Sequence, residues 1–261
     1  MIRLAVWYDD HRRLVLGVAG ILSVLVPWEL LARTGAVKTI LIGSPTRVVD
    51  AFVTELRVGE LSTDFIATLQ VWVAGYLLAA VVGVGIGLAA GWFRRVAFIA
   101  IPWLNVLYAT PNLAFIPIFV LWFGIGVVFK IWIVFLGALF YVAINTIQGV
   151  HATERKYIEV AHTFGASRLK VFRTIILPGS VPYIISGLRL GASRALVGVV
   201  AAEFISANQG IGYLIGVAGQ TLNTSRVMMG VVIIASLGIV TGELLRRVER
   251  RFDVWRPEAS G

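Results

Sequence analysis

The chain contains no cysteine and only three histidines among its 261 residues. The absence of cysteine excludes disulfide scaffolds, thiol nucleophiles, iron–sulfur clusters and cysteine-type zinc sites. The histidines, His11, His151 and His162, leave little material for a metal centre. We therefore expect neither a metal ion nor a cofactor bound to this chain.

Charge is also scarce, because 14% of the residues are charged while 58% are hydrophobic. A typical soluble domain is about 25% charged and about 45–50% apolar. A soluble core of this size cannot bury so much apolar surface, since most of the surface must stay polar. This composition excludes a soluble single-domain enzyme, and its apolar excess excludes an intrinsically disordered chain.

The common catalytic motifs are missing as well. The sequence has no G-x-x-x-x-G-K-[ST], so the chain cannot bind ATP in the P-loop manner. It also lacks H-E-x-x-H, G-x-S-x-G and clustered carboxylates. We therefore expect that this chain is not catalytic. If it takes part in an energy-driven process, another chain must supply the energy.

Six apolar stretches are long enough, at about 20 residues each, to cross the hydrocarbon core of a bilayer as helices. The predicted spans are 14–31, 68–92, 96–123, 128–148, 181–205 and 227–245. The first lacks a small-x-small cleavage site, so we expect it to be retained. The sequence thus predicts an all-α integral membrane protein with one transmembrane domain over residues 1–261.

The net charge of +9 arises from 23 Lys and Arg residues against 14 Asp and Glu residues. With the N-terminus inside, fifteen of these cations fall in inner segments and six in outer segments. This asymmetry follows the positive-inside rule and predicts that both termini are cytoplasmic. The basic balance is therefore explained by membrane orientation and argues against nucleic acid as a partner.

The predicted outer loop, residues 32–67, contains its own helix signal. Ser44 can cap a helix whose first residue is Pro45. Apolar residues repeat at helical spacing after it, at Val48, Val49, Phe52, Val53 and Leu56. Two interpretations stay open: a helix on the outer membrane surface, or part of a docking site for an external partner.

Glycines recur every four residues in the second span, at Gly83, Gly87 and Gly91. Residues at this spacing lie on one helix face, and small residues there let two transmembrane helices approach closely. We therefore predict a helix-packing face in this span.

Polar residues within the third, fourth and fifth spans are candidates for a solute path. The third span carries Pro102, Pro111 and Pro117, which bend a helix, and non-helical backbone at membrane depth is tolerated beside a cavity. The path candidates are Tyr108, Asn112, Asn145, Arg194 and Glu203. The alternative is structural: a simple kink, with the polar groups paired to neighbours or backbone.

The predicted inner loop, residues 151–180, is an amphipathic segment. Two short helices are expected, joined at Gly165, with Pro178 ending the second before the fifth span. One interpretation places this segment on the inner leaflet; the other presents it to the groove of a cytoplasmic partner.

This loop resembles a signature of the permease subunits of bacterial ABC importers. The signature is E-A-A, three residues, G, nine residues, I, one residue, L-P, and this chain matches its spacing with Val160 in place of the first alanine. By this resemblance the loop is a coupling helix that contacts an ATPase subunit. The implied coupling residues are Glu159, Ala161, Gly165, Ala166, Ser167, Arg168, Leu177 and Pro178.

The resemblance covers most of the chain. Within this family, the chain is similar to the nitrate/sulfonate/taurine branch of the permeases. The segments that carry it are 111–126, 187–191, 201–204 and 209–215. It implies a type I importer fold in the bacterial inner membrane, working as a homodimer with two ATPase subunits and an external solute-binding protein. ATP and Mg²⁺ are then expected on the ATPase subunits.

The solute is left open by the sequence. Members of this branch import nitrate, bicarbonate, sulfonates, taurine and vitamin precursors, and many have proline and tryptophan where this chain has Asn112 and Phe115. On the residues alone, an ion-coupled secondary transporter without an ATPase partner is the alternative, although Glu203 is its single deep intramembrane acid.

Overall fold

The computed structural model describes residues 2–35, 37–205 and 208–252. Every regular element within these ranges is helical, which confirms the all-α prediction. The α-helices are α1 (Ile2–Arg33), α2 (Thr39–Ile42), α3 (Pro45–Val58), α4 (Glu60–Trp92), α5 (Arg94–Ala109), α6 (Ile116–Phe123), α7 (Val127–His151), α8 (Arg155–Thr163), α9 (Arg168–Val171), α10 (Leu177–Glu203), α11 (Ile211–Gln220) and α12 (Thr224–Phe252). A 3₁₀ turn, Asn112–Phe115, precedes α6, and a π-helical turn, Phe172–Ile176, joins α9 to α10.

Among the described residues, five helical segments are long and apolar enough to cross a membrane. They are Val15–Arg33, Glu60–Trp92, Val127–His151, Arg168–Glu203 and Thr224–Phe252. A bent helix pair, Arg94–Ala109 with Asn112–Phe123, supplies a sixth crossing when it is counted as one span. Several of these helices run beyond the predicted spans, as α4 does in beginning at Glu60 rather than at residue 68.

The third predicted span, 96–123, is two helices rather than one. The pair is bent by 92° where Thr110 and Pro111 leave the helical region, with ψ angles of 130° and 111°. Pro111 lacks a backbone N–H and disfavours a helical conformation in the residue before it. Pro102, by contrast, is accommodated inside α5.

The chain divides into two compact units, one of residues 2–62 with 214–232 and one of residues 63–213 with 233–252. In the first unit, Ser44 Oγ accepts a hydrogen bond from the Arg47 N–H at 3.3 Å, and Pro45 is the first residue of α3. The predicted cap is therefore confirmed. Glu29 of α1 accepts bonds from the N–H and hydroxyl of Thr46 at 3.1 and 2.9 Å, which ties α1 to the start of α3.

In the second unit, α7 lies between glycine faces of α4 and α10. A Cβ added to glycines of α4 would lie 2.4 to 2.9 Å from side chains of α7. The facing pairs are Gly75 with Val134, Gly83 with Val142, Gly87 with Thr146 and Gly91 with Val150. The predicted packing face is therefore confirmed. On α10, Gly187 and Gly191 approach α7 in the same way, at 2.8 and 3.0 Å.

Candidate functional site

A cavity of about 220 Å³ opens in the second unit where the broken third span meets α7 and α10. It is lined by Tyr108, Ala109, Thr110, Pro111, Asn112, Leu136, Gly137, Phe140, Tyr141, Arg194 and Val197. The break between α5 and α6 forms one wall, which fits the rule that non-helical backbone at membrane depth is tolerated beside a cavity. Three of the predicted path residues, Tyr108, Asn112 and Arg194, thus meet at one place.

The polar part of this cavity is built around the Arg194 guanidinium. Its carbon lies 5.1 Å from the centre of the Tyr141 ring, within the range of a cation–π interaction. The rings of Tyr141 and Tyr108 meet edge to face with their centres 5.4 Å apart. Sequence reasoning missed Tyr141, because it lies in the apolar run of α7 and only the fold brings it beneath Arg194.

Asn112 reaches the cavity because Gly137 leaves room for it. A Cβ on Gly137 would lie 3.1 Å from Asn112 Nδ2 and 3.3 Å from the Arg194 carbonyl oxygen. Both distances are shorter than an ordinary van der Waals contact. Gly137 therefore sets how closely the broken span and α10 approach α7 at this point.

Asn145 does not line the cavity. Its Nδ2 donates to the Tyr141 carbonyl one turn earlier at 2.8 Å, and its side chain packs against Gly187 of α10. This is the structural alternative weighed for the polar span residues, a half-buried amide that is paired with the backbone of its own helix.

Glu203 does not line the cavity either. It is the last residue of α10, and its fully buried side chain lies beside the first residues of α11. Its carboxylate accepts bonds from the Thr68 hydroxyl at 2.9 Å and from the Gly212 N–H at 2.8 Å. The Thr68 oxygen in turn accepts the Ile211 N–H at 2.8 Å. The first N–H groups of a helix lack partners within it, and an anion there is also favoured by the helix dipole. Glu203 therefore holds the N-terminus of α11.

The segment predicted to be a coupling helix forms a helix pair, α8 and α9, that turns at Gly165. Gly165 has a φ of 73°, in the left-handed region that favours glycine. The Ala166 N–H donates to the Ala161 carbonyl at 2.9 Å and closes the end of α8. Ser167 then caps α9 by accepting from the Lys170 N–H at 3.4 Å.

One side of the helix pair is anchored to the transmembrane helices. Val171 and Ile176 are buried together with Val150 of α7. The Phe172 ring packs on Trp92 at the end of α4, with the ring centres 5.2 Å apart. The pair is therefore attached to three long helices, α4, α7 and α10.

The other side of the helix pair exposes apolar side chains. Tyr157, Val160, Phe164 and Leu169 are each more than half exposed, and Phe164 reaches 87%. Large apolar side chains clustered at the surface mark sites of interaction with a protein or a membrane.

The remaining signature residues surround this surface. Glu159, Ser167 and Arg168 are exposed, whereas Ala161 and Ala166 are half-buried toward the anchored side. Beside them, the Lys156 ammonium lies 2.5 Å from the Glu154 carboxylate, and this hydrogen-bonded pairing raises the pKa of Lys156.

Pro178 does not end the second helix, which corrects the expectation from the sequence. Helical structure runs from Arg168 to Glu203, and Pro178 lies within the first two residues of α10. The π-helical turn over Phe172–Ile176 precedes it. Leu177 and Pro178 therefore connect the helix pair to the fifth span without a break.

Known proteins are similar to this chain over most of its length. Residues 81–254 match the family described as "Binding-protein-dependent transport system inner membrane component". The chain is 33% identical to SsuC of Bacillus subtilis, whose name assigns it to aliphatic sulfonate transport, over 91% of this chain and 86% of that protein. It is 30% identical to TauC of Escherichia coli, the taurine transport system permease protein, over 95% of this chain and 92% of that protein.

The fold is also found in solved structures of ABC transporters. A chain of the inward-facing MetNI methionine ABC transporter matches with a TM-score of 0.65 and 18% identity, covering 76% of this chain and 98% of that chain. A chain of an amino acid ABC transporter matches with a TM-score of 0.64 and 16% identity, covering 76% and 96%. The fold, the family match and the relatives agree. The chain is an inner-membrane permease subunit of an ABC importer and belongs to the family of binding-protein-dependent transport system inner membrane components.

Proposed function

We propose that two copies of this chain form the solute pathway of the importer and that the helix pair α8–α9 couples each copy to a separate ATPase subunit. ATP and Mg²⁺ are bound and used by those ATPase subunits. A solute-binding protein on the outer side delivers the solute. This chain contributes the path and the mechanical link, and no catalytic group.

The observation that carries this proposal is the two-sided character of the helix pair. Val171 on its buried side and Ile176 in the π-helical turn that follows pack against the long helices. Its exposed side offers Phe164 and Leu169 to a partner. A short helix with an apolar face fits the helix-in-groove mode of recognition. Because the pair continues into α10, movement of an ATPase subunit bound to it would be transmitted to a transmembrane helix that lines the cavity.

The matched relatives outline the solute class. Their names include aliphatic sulfonates, taurine and, for ThiX of Halalkalibacterium halodurans, formylaminopyrimidine. We propose a small polar solute of the nitrate, bicarbonate, sulfonate, taurine or vitamin-precursor type. Passage from the outside into the cavity would be driven by the different affinity of ATP for the two states of the ATPase pair.

The coupling role is tested by replacing one exposed phenylalanine. Phe164→Ala removes the most exposed apolar side chain of the pair, whereas Phe52→Ala makes the same change on α3 in the other compact unit. We expect Phe164→Ala to weaken retention of the ATPase subunits about ten- to hundred-fold, from the burial of one large side chain. The readout is co-purification of ATPase subunits with a tagged chain.

Phe52→Ala is expected to retain the ATPase subunits like the parent protein. Equal retention by both variants would contradict the coupling role of α8–α9. An ion-coupled secondary transporter, the alternative function, would show no ATPase subunit with any variant.

A further inference from the structure

Two other arginines of the long helices, Arg189 and Arg226, have acidic partners that Arg194 lacks among the described residues. Arg189, on the same helix, lies 3.3 Å from the Glu249 carboxylate, and Arg226 lies 2.8 Å from Glu55. In the part of the chain that the structure describes, no carboxylate oxygen lies within 4.0 Å of the Arg194 guanidinium. Its positive charge faces the cavity instead.

An arginine at membrane depth is costly to maintain, because its charge is separated from bulk water. The cation–π contact with Tyr141 offsets only part of this cost, because one aromatic face does not replace the hydration shell of a guanidinium. The rest is offset when water or an anion enters the cavity. An anion is favoured, because no Asp or Glu occurs among the described residues that line the cavity.

The lining also provides hydrogen-bond donors that an oxyanion could accept from. Tyr108, Tyr141 and Asn112 carry hydroxyl or amide donors around the guanidinium. The planar fork of an arginine pairs with two oxygens of one sulfonate, carboxylate or nitrate group at once. The Thr110 hydroxyl already donates to the Val106 carbonyl at 2.9 Å, so it does not add a donor.

The volume limits what can enter. About 220 Å³ is below the usual 300–1,000 Å³ of pockets for drug-sized ligands. It is several times the roughly 30 Å³ that a water molecule occupies in the liquid. The space fits a small solute or the head of one.

We propose that this cavity is an anion site in which Arg194 is the counter-ion of the transported solute. The solute of this importer is then a small monoanion with an oxyanion group, rather than a neutral or cationic heterocycle. This inference rests on the proposed function, because it assumes that the cavity lies on the solute path.

The test measures binding to the full-length chain in lipid nanodiscs, without ATPase subunits. The probes are ethanesulfonate, acetate and nitrate, with ethyl methyl sulfone as a neutral analogue of ethanesulfonate. The variants are Arg194→Gln, Arg194→Lys and, as the matched control on the same helix, Arg189→Gln. Elution as a single peak on size exclusion establishes that each variant is folded.

We expect at least one of the anions to bind the parent chain, and Arg194→Gln to weaken that binding about ten- to hundred-fold, the loss of a hydrogen bond to a charged group. Arg194→Lys should lose less, Arg189→Gln should bind like the parent, and the sulfone should show no dependence on Arg194. The inference is overturned if none of the anions binds with dependence on Arg194, or if the sulfone binds as tightly as ethanesulfonate.

This result is separable from the coupling experiment. Anion binding that depends on Arg194 stands even when Phe164→Ala retains the ATPase subunits. Conversely, a chain that couples through α8–α9 but does not bind anions would overturn the anion site alone.

Discussion

Replacing Gly87 with alanine is expected to force α4 away from α7. The added Cβ would lie 2.4 Å from the Cβ of Thr146 and 2.9 Å from the carbonyl oxygen of Ala143. Non-bonded carbon atoms prefer about 3.5–4.0 Å, so the helices must separate locally by about 1 Å. The glycines one turn away on either side, Gly83 and Gly91, are also close to α7, at 2.9 and 2.6 Å, so the separation disturbs their contacts as well.

Gly85 provides the matched control on the same helix. A Cβ at Gly85 meets nothing within 4 Å. Alanine is about 0.8–1.0 kcal/mol better than glycine in a helix interior, and both variants receive this gain. Overpacking costs about 1–3 kcal/mol, and only Gly87→Ala incurs it. The free energy of unfolding of the two variants should therefore differ by about 1–3 kcal/mol, with Gly87→Ala the less stable.

The assay is reversible unfolding of the purified chain in mixed micelles, followed by far-UV circular dichroism as the fraction of denaturing detergent rises. Gly85→Ala is expected to unfold at the same or a higher fraction than the parent chain, and Gly87→Ala at a lower fraction. Equal unfolding curves for the two variants would refute the glycine-mediated packing of α4 on α7.

Three further changes have expected outcomes. Thr68→Val should lower the free energy of unfolding by about 1–3 kcal/mol in the same assay, because the buried Glu203 carboxylate loses a donor. Thr68→Ser should retain most of the parent's free energy of unfolding. An unchanged unfolding curve for Thr68→Val would mean that this bond does not hold α11. Gly165→Val should reduce the ATPase activity coupled to transport more than Gly165→Asn does. A φ of 73° costs an ordinary residue about 1–2 kcal/mol, and asparagine tolerates this conformation better than valine does. Equal activities of the two variants would argue against a role for the turn. Arg226→Gln should lower the free energy of unfolding by about 1–3 kcal/mol, because the Glu55 side chain is only 12% exposed and its carboxylate loses a charged donor. An unchanged unfolding curve would mean that this pair does not stabilise the chain.

Local sequence signals predicted local structure well. Ser44 followed by Pro45 predicted the start of α3, because a cap depends on neighbouring residues only. The spacing of Gly83, Gly87 and Gly91 predicted a packing face, since helical periodicity places them together whatever the partner helix is.

The candidate site could not be predicted from local sequence patterns, because it is formed by contacts between different helices. Tyr141 lies in an apolar run, and only the approach of α10 places it beside Arg194. Glu203 was expected near the path, yet its carboxylate is 2.8 Å from Gly212 N, at the start of a helix that follows it in the chain. The prolines predicted a kink at Pro111, but the full 92° break depends on how both halves pack.

The mechanical proposal follows from the continuity of the helix pair with the fifth span. Helical structure runs from Arg168 through Pro178 to Glu203, and Arg194 lies on that same stretch. A displacement of α9 by an ATPase subunit would therefore reach the cavity wall directly. The tight contacts of α10 with α7 at Gly187 and Gly191 would make α7 move with it.

The most direct test of the account is solute accumulation in proteoliposomes that contain this chain, its ATPase subunits and the solute-binding protein. ATP supplied on the side of the ATPase subunits should drive accumulation against a gradient, and a proton or sodium gradient without ATP should drive none. Accumulation driven by an ion gradient in liposomes that hold this chain without ATPase subunits would contradict the account.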